Sequence, residues 1–465
     1  MSIRTPVPTS RTTSSEPLAT TSRGSRVPSA SAAPASTPAN APTPATTTDA
    51  GGAPETTTAR RPTLFTPAFT ALALASLAYF TAVGMLIPAL PRFVAGPLGG
   101  GNVAVGVVFG SFSVSAVLLR PVAGLYTDRR GRRPLMLAGT VLFAISVLAY
   151  PLAPTPAVLA AIRLLSGAGE ALFFVGMVTT VTDLAPPQRR GEAMSLASLA
   201  LYLGIGIGPV IAEATFTRLG FTAVWAMAAA AALVATGLVL RVPETRPVTA
   251  PGAELSSSAG RLIHPAGVLP GLVLLASIVG MAGFLAFVPL HVLDIGMTGS
   301  SGVLLTFAAV VVLIRSAGSR LPDVLGPGRA IRAALTLSVV GLVVVGAWHT
   351  PVGLASGAVV LAVGIALLTP SVFALAVADV PAEERGQVVA TTSAFIDVAF
   401  GVGPFAMGLI AASMGRPAVF VAGAMIAGAG LVLVGATQLG RPRAVTPSPA
   451  AAAVPGGRPA HAESA

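Results

Sequence analysis

The chain contains no cysteine and no lysine, and only 10% of its 465 residues are charged. Without cysteine there is no disulfide, no thiolate metal site and no cysteine nucleophile. The four histidines, His264, His291, His349 and His461, are dispersed and form no ligand set of the kind a metal needs. No phosphate-cradling glycine loop and no His-Glu-x-x-His helix occurs. ATP hydrolysis and metalloprotease chemistry therefore have no seat, and no enzyme, cofactor or metal is expected. In place of charge there is apolar surface. The chain is 54% hydrophobic, and its apolar runs recur at lengths that cross a roughly 30 Å hydrocarbon core. Such a chain is an all-α integral membrane protein surrounded by lipid. Its net charge of +11 comes from arginine alone. On a membrane protein basic charge marks orientation, so no nucleic-acid partner is read into it.

Twelve spans are expected: Phe65–Leu90, Val103–Val122, Leu135–Leu152, Ala157–Thr180, Gly191–Glu213, Thr222–Leu240, Gly267–Leu290, Ser301–Ser319, Ile331–Trp348, Val352–Val377, Gln387–Ala412 and Pro417–Thr437. Residues 1–62 and 439–465 are rich in Ser, Thr, Pro and Ala and lack the apolar periodicity to bury anything, so both read as disordered tails. The short loops on the N-terminal side carry thirteen arginines and the opposite loops carry three, Arg92, Arg218 and Arg416. That asymmetry predicts two cytoplasmic termini, and the chain is expected in the plasma membrane.

The chain also repeats itself. A shift of 195 residues superposes Arg120 on Arg315, Asp128 on Asp323, Gly131 on Gly326, Arg190 on Arg385 and Gly191 on Gly386. The same shift aligns Ser198 with Ser393, Gly206 with Gly401, Gly208 with Gly403 and Pro209 with Pro404. Two six-helix bundles follow, 63–242 and 266–438, joined by a polar linker at 243–265. Parallel repeats of this sort belong to transporters whose halves rock about a midplane site.

Between the second and third spans stands Gly124-Leu-Tyr-Thr-Asp128-Arg129-Arg-Gly131-Arg132-Arg133. This stretch resembles the loop 2–3 signature of the major facilitator superfamily, with Tyr126 where leucine is usual. Arg163-Leu-Leu-Ser-Gly167-Ala-Gly169-Glu-Ala171 is similar to the family's pattern in the fourth span. Gly204-Ile-Gly-Ile-Gly208-Pro209 resembles an element of proton-driven exporters that usually ends in a glycine pair; here Ala212 and Glu213 stand in that place. The stretch Val-Pro-Glu-Thr-Arg-Pro after the sixth span also looks like the family. The resemblance implies a twelve-helix fold, a small-molecule substrate and a monomer. It further implies a gating role for loop 2–3, with Asp128 set against the start of the eleventh span. Asp183 is expected to pair with one of the loop arginines.

Ionisable side chains in the middle of a span cost roughly 2.5–3.5 kcal/mol each on insertion scales and mark function. Arg163 and Glu170 are seven residues apart, nearly two turns, so they share one face of the fourth span. Glu170 is expected to carry a proton and Arg163 to modulate it. Asp397, in mid-span, is the second proton-carrying candidate. Arg120 and Arg315, nearer the arginine-rich ends of their spans, are expected to snorkel, and Glu213 and Asp294 to be solvated. Tyr79, Phe173, Phe174, Met177 and Phe284 are candidate cavity residues, with Phe80, Met85, Met281, Phe287 and Phe373 as weaker ones. The glycines of Gly204-Ile-Gly-Ile-Gly208 should bring the fifth span's backbone against a neighbour. Together these readings point to proton-coupled export of a small amphiphilic molecule. Two rivals stay open: a proton-coupled importer of a sugar or metabolite, and a membrane sensor that does not transport.

Overall fold

A computed structural model describes residues 64–246, 263–317, 324–381 and 384–437. The expected tails, most of the linker and the side chain of Asp128 lie outside the described part. Among the described residues all regular structure is helical. The helices are α1 (Pro67–Ala95), α2 (Asn102–Arg130), α3 (Arg132–Leu148) and α4 (Pro156–Leu184). A single run, Arg190–Val239, turns at Gly220 (φ 78°, ψ 176°) into α5 (190–219) and α6 (221–239). Then come α7 (Pro265–Asp294), α8 (Ser301–Ala317), α9 (Pro327–Ala347), α10 (Pro351–Val377), α11 (Arg385–Met414) and α12 (Arg416–Ala436). Ten of the continuous helical runs are long and apolar enough to cross a membrane, and the 17-residue α8 is a shorter apolar helix. With the broken run counted as two, they are consistent with twelve crossings.

Local chemistry sets the ends. Thr66, Thr155 and Thr350 each accept the backbone N–H three residues on through Oγ1, and each is followed by proline at the first helical position. Threonine there satisfies an orphan donor, and proline lacks the N–H that would be unpaired anyway. Thr155 and Thr350 are 195 residues apart, as are the turn glycines Gly131 and Gly326 and the breaks Gly220 and Gly415, all four with positive φ. The repeat read from arginines is thus also a repeat of backbone geometry.

One expectation changes here. The charged stretch from Gly124 was expected as the loop between the second and third spans, but α2 continues through Arg130 and only Gly131 (φ 101°) turns. Arg129 and Arg130 occupy the last turn of α2, where cations meet the negative pole of the helix; charge alone did not require a loop.

Packing follows the same repeat. α1 packs on α5, α2 and α3 on α4, and α3 on the α5–α6 run. Six helices later, α7 packs on α11, α8 and α9 on α10, and α9 on α12. The main contacts that cross from the first six helices to the last six are α2 with α11 and α5 with α8, with a smaller one between α1 and α7. The fifth-span glycines permit this closeness. A Cβ on Gly204 would lie 2.7 Å from the backbone of Phe80 and Thr81, one on Gly208 would lie 2.5 Å from Met85 N, and one on Gly206 would lie 2.6 Å from Ala308 Cβ. Gly204 and Gly208 therefore seat α5 on α1, while Gly206 faces α8. Pro209 lies inside the same helix, next to Gly208.

Candidate functional site

The charged side chains of three helices meet in the middle of the molecule. Arg120 of α2 donates through Nη2 to Glu170 Oε1 of α4 at 3.3 Å and through Nη1 to Asp397 Oδ2 of α11. Its guanidinium carbon lies 4.8 Å from the centre of the Phe174 ring. Both carboxylates are buried, Glu170 at 7% exposure and Asp397 at 8%. Two buried anions need a cation to offset their desolvation, and Arg120 serves both. The set is not saturated: Glu170 Oε2 and Arg120 Nε have no hydrogen-bond partner.

This overturns two expectations. Arg120 does not snorkel, and Arg163 is not the neighbour of Glu170. Arg163 instead donates to Val108 O at 3.3 Å and to the Tyr150 hydroxyl at 3.2 Å, and lies 4.6 Å from the Phe112 ring. The Tyr150 hydroxyl is held in turn by Ser166 Oγ at 2.6 Å. Arg163 therefore ties α4 to α2 and to the turn that follows α3. The reason is rise: seven residues share a face but stand roughly 10 Å apart along the axis, so an arginine from the next helix reaches Glu170 first. Arg315 also turns inward, its carbon 4.8 Å from the Tyr202 ring of α5.

The aromatic candidates divide. Tyr79 and Phe173 stack with ring centres 4.2 Å apart, and Phe143 stands 4.9 Å from Tyr79. Phe284 packs on Phe307 and Phe420, and Met177 is 2% exposed. Phe80, Met85, Met281 and Phe287 are buried as well, and Phe373 is partly buried against an apolar cluster. Of the five principal candidates, Phe174 lies against Arg120; Tyr79, Phe173, Met177 and Phe284 are packed and buried among helices.

The end of the bundle with few arginines is tied by a third acid. Glu213, expected in solvent, is 7% exposed. Its carboxylate accepts from Ser300 N and Ser300 Oγ at 2.7 Å each, from Ser301 N at 2.8 Å and from Arg92 Nη2 at 3.4 Å. A carboxylate at the start of α8 faces the positive pole of that helix. Arg92 completes the tie by donating to Pro289 O at 3.2 Å and Thr298 O at 3.4 Å. Nearby, Asn102 donates to Ala411 O at 3.0 Å, and Arg416 bonds Asn102 and Asp294. Asp294, with its side chain 42% exposed, is the half-solvated one. A Cβ on Gly106 or Gly110 of α2 would collide with the α11 carbonyls of Pro404 and Gly401. Among the described residues at the arginine-rich end, a Cβ on Gly124, Gly191 or Gly386 would meet nothing within 4 Å.

Glu213→Gln keeps the size and removes the charge. Hydrogen bonds to a charged group contribute about 1.5–3 kcal/mol, so the closed end should open more often. A cysteine placed at Ser301 in the otherwise cysteine-free chain should then be alkylated several-fold faster. Equal rates with and without the substitution would mean that Glu213 does not hold this end shut.

At the arginine-rich end, Arg132 is buried and donates to Asp183 Oδ2 at 3.1 Å and Thr127 O at 3.3 Å. Thr245 Oγ1 donates to the same Asp183 oxygen at 2.8 Å. Glu244 accepts the backbone N–H of Arg132 at 2.9 Å and of Arg133 at 3.1 Å, capping α3. Arg133 reaches Leu240 O at 2.6 Å, while Arg129 and Arg130 are exposed. Glu244 had no role in the sequence reading. The signal was present, since it follows the sixth span directly and α3 has no capping side chain of its own beside Gly131.

Comparison with known proteins places this architecture. The family model described as Major Facilitator Superfamily matches residues 72–360. An uncharacterized MFS-type transporter of Salmonella typhimurium is 27% identical over 369 residues, covering 77% of this chain and 93% of that one. Multidrug resistance protein 1 of Bacillus subtilis is 26% identical over 339 residues, covering 71% and 86%. Among solved structures, that of a human organic anion transporter is similar in fold, with a TM-score of 0.61 at 20% identity, covering 79% of this chain and 99% of that one. With more than half of its length matched by the family model and an all-helical, multi-span architecture, the chain belongs to the Major Facilitator Superfamily and is a membrane transporter, not an enzyme.

Proposed function

We propose that this transporter exports a small amphiphilic organic molecule in exchange for protons, by alternating access in the plasma membrane, as a monomer with both termini cytoplasmic. The observation that carries this reading is the single arginine shared by Glu170 and Asp397. With both acids ionised the cluster bears one net negative charge, and one proton neutralises it. A proton on the Asp397 carboxylate removes its ion pair with Arg120, which joins α2 to α11. Protonation is thereby linked to the separation of the two six-helix halves.

The bias of arginine puts loop 2–3 on the cytoplasmic side. Among the described residues the inter-half hydrogen bonds of Arg92, Asn102, Glu213 and Arg416 all lie at the opposite end, which supports an inward-open reading. Return to the outward-open form would close the cytoplasmic end through Asp128 and the loop that Arg132, Asp183 and Glu244 brace. Resemblance to a Bacillus subtilis protein named for multidrug resistance supports export of amphiphiles.

The test is transport in proteoliposomes with an imposed pH gradient, using a panel of amphiphilic dyes. Dye moving against its own gradient and opposite to the proton supports export. Movement in the same direction as the proton would make it an importer, and no movement in either direction would leave the sensor reading. Orientation has its own check. A cysteine replacing Thr5 or Ser464 should react with a membrane-impermeant maleimide only after cells are permeabilised; reaction in intact cells would invert the topology.

A further inference from the structure

The repeat relates the two main inter-half contacts to each other. On one side Gly401 of α11 faces Ser113 of α2, a Cβ there lying 3.7 Å from Ser113 Cβ. On the other Gly206 of α5 faces Ala308 of α8, the corresponding positions 195 residues away. Under that shift Arg120 becomes Arg315 and Asp397 becomes Tyr202. Both guanidinium carbons lie 4.8 Å from an aromatic ring, Phe174 for Arg120 and Tyr202 for Arg315. The difference is the counter-charge. Arg120 has two carboxylates, whereas among the described residues Arg315 has only the Tyr202 hydroxyl, at 3.4 Å from Nη2. Its Nε is buried and has no acceptor. Arg163, the other mid-span arginine without an acid, is bonded to a carbonyl and a hydroxyl; Arg315 is less satisfied.

We propose that Arg315 and Tyr202 form the seat for an anionic group on the transported molecule, so that the substrate is an amphiphilic organic carboxylate. This inference rests on the transport reading above and adds the chemical class. A guanidinium in an apolar setting lacks something that a carboxylate supplies: two parallel, charge-assisted hydrogen bonds from its planar fork. A substrate carboxylate accepts from the free Nε and from an Nη of Arg315, occupying the place that Asp397 takes beside Arg120. The Tyr202 hydroxyl turns to donate to it. The partly buried ring of Tyr202 gives its apolar body a face to lie against.

The experiment is equilibrium binding to the purified full chain, with 2-naphthoate as probe and 2-naphthamide as its neutral match. No pH gradient is applied, so the result is blind to coupling and separates this proposal from the proton-exchange reading. Naphthoate should raise the thermal midpoint and titrate to saturation, and the amide should do neither. Arg315→Gln should weaken naphthoate at least tenfold, while Arg218→Gln, which removes an equal charge from an exposed site, leaves it unchanged. Tyr202→Asp tethers a carboxylate beside Arg315 as Asp397 is tethered beside Arg120. That variant should raise the unliganded midpoint and lose naphthoate, which keeps the test sound even if Arg315→Gln folds poorly. Absence of naphthoate binding to the unaltered protein, equal binding of the amide, or undiminished binding by Tyr202→Asp each overturns the proposal.

Discussion

Asp397→Asn and Glu170→Gln should each abolish accumulation of substrate against its gradient, while downhill exchange of substrate persists. The two processes differ in what they ask of the cluster. Exchange needs the halves to rock with substrate bound on each passage, and no net proton need be released. Uphill transport needs a group that loads a proton on one side and unloads it on the other, and an amide cannot do so. The substitutions are close to isosteric, so packing changes little; what changes is the partner that Arg120 holds. Asp397 lies across the α2–α11 contact and Glu170 lies on the same side as Arg120. Loss of Asp397 therefore removes the charge link between halves, and loss of Glu170 leaves that link with a single acid. Counterflow of labelled substrate compared with pH-driven uptake, in the same vesicles, reads the two processes separately. Concentrative uptake by both variants would reduce these acids to structural charges and place the driving ion elsewhere.

Much of the fold is written locally. The spans follow from apolar run length, several starts from the Thr-Pro pair, and the doubling from arginine and glycine positions that recur 195 residues on. Close approach of α5 to α1 could be read from Gly204 and Gly208 because the cause, absence of a Cβ, belongs to those residues themselves. The charged cluster could not be read this way. Arg120 meets Glu170 across 50 positions and Asp397 across 277, and helical periodicity speaks only of faces within one helix. For the same reason Arg163 looked like the partner of Glu170, and Glu213 looked solvated although its donors lie 87 and 88 positions away. One clue was available. Two acids in mid-span demand a cation from some other span, and Arg120 and Arg315 stood at matching depth in the two repeats.

Removal of that shared cation should have the larger structural effect. Arg120→Gln leaves Glu170 and Asp397 buried without a counter-charge, and breaking a buried pair from one side costs about 3–5 kcal/mol. Arg120 also covers the Phe174 ring, so some packing is lost with the charge. Folded yield and thermal midpoint in detergent should both fall sharply. The cost comes from stranded anions and not from the missing side chain, so it should be recoverable. Residues in one ion-pair network are coupled, and their substitutions do not add. Arg120→Gln combined with Asp397→Asn should regain part of the loss, and adding Glu170→Gln should regain most of it. The neutral triple variant should then be a well-folded protein that exchanges substrate downhill and ignores the pH gradient. A triple variant as unstable as Arg120→Gln alone would mean that the arginine acts through packing. One that still concentrated substrate would show that neither the arginine nor the acids couple the proton. Stability and coupling thus separate within one set of three residues, because charge balance restores the first and only a titratable group can restore the second.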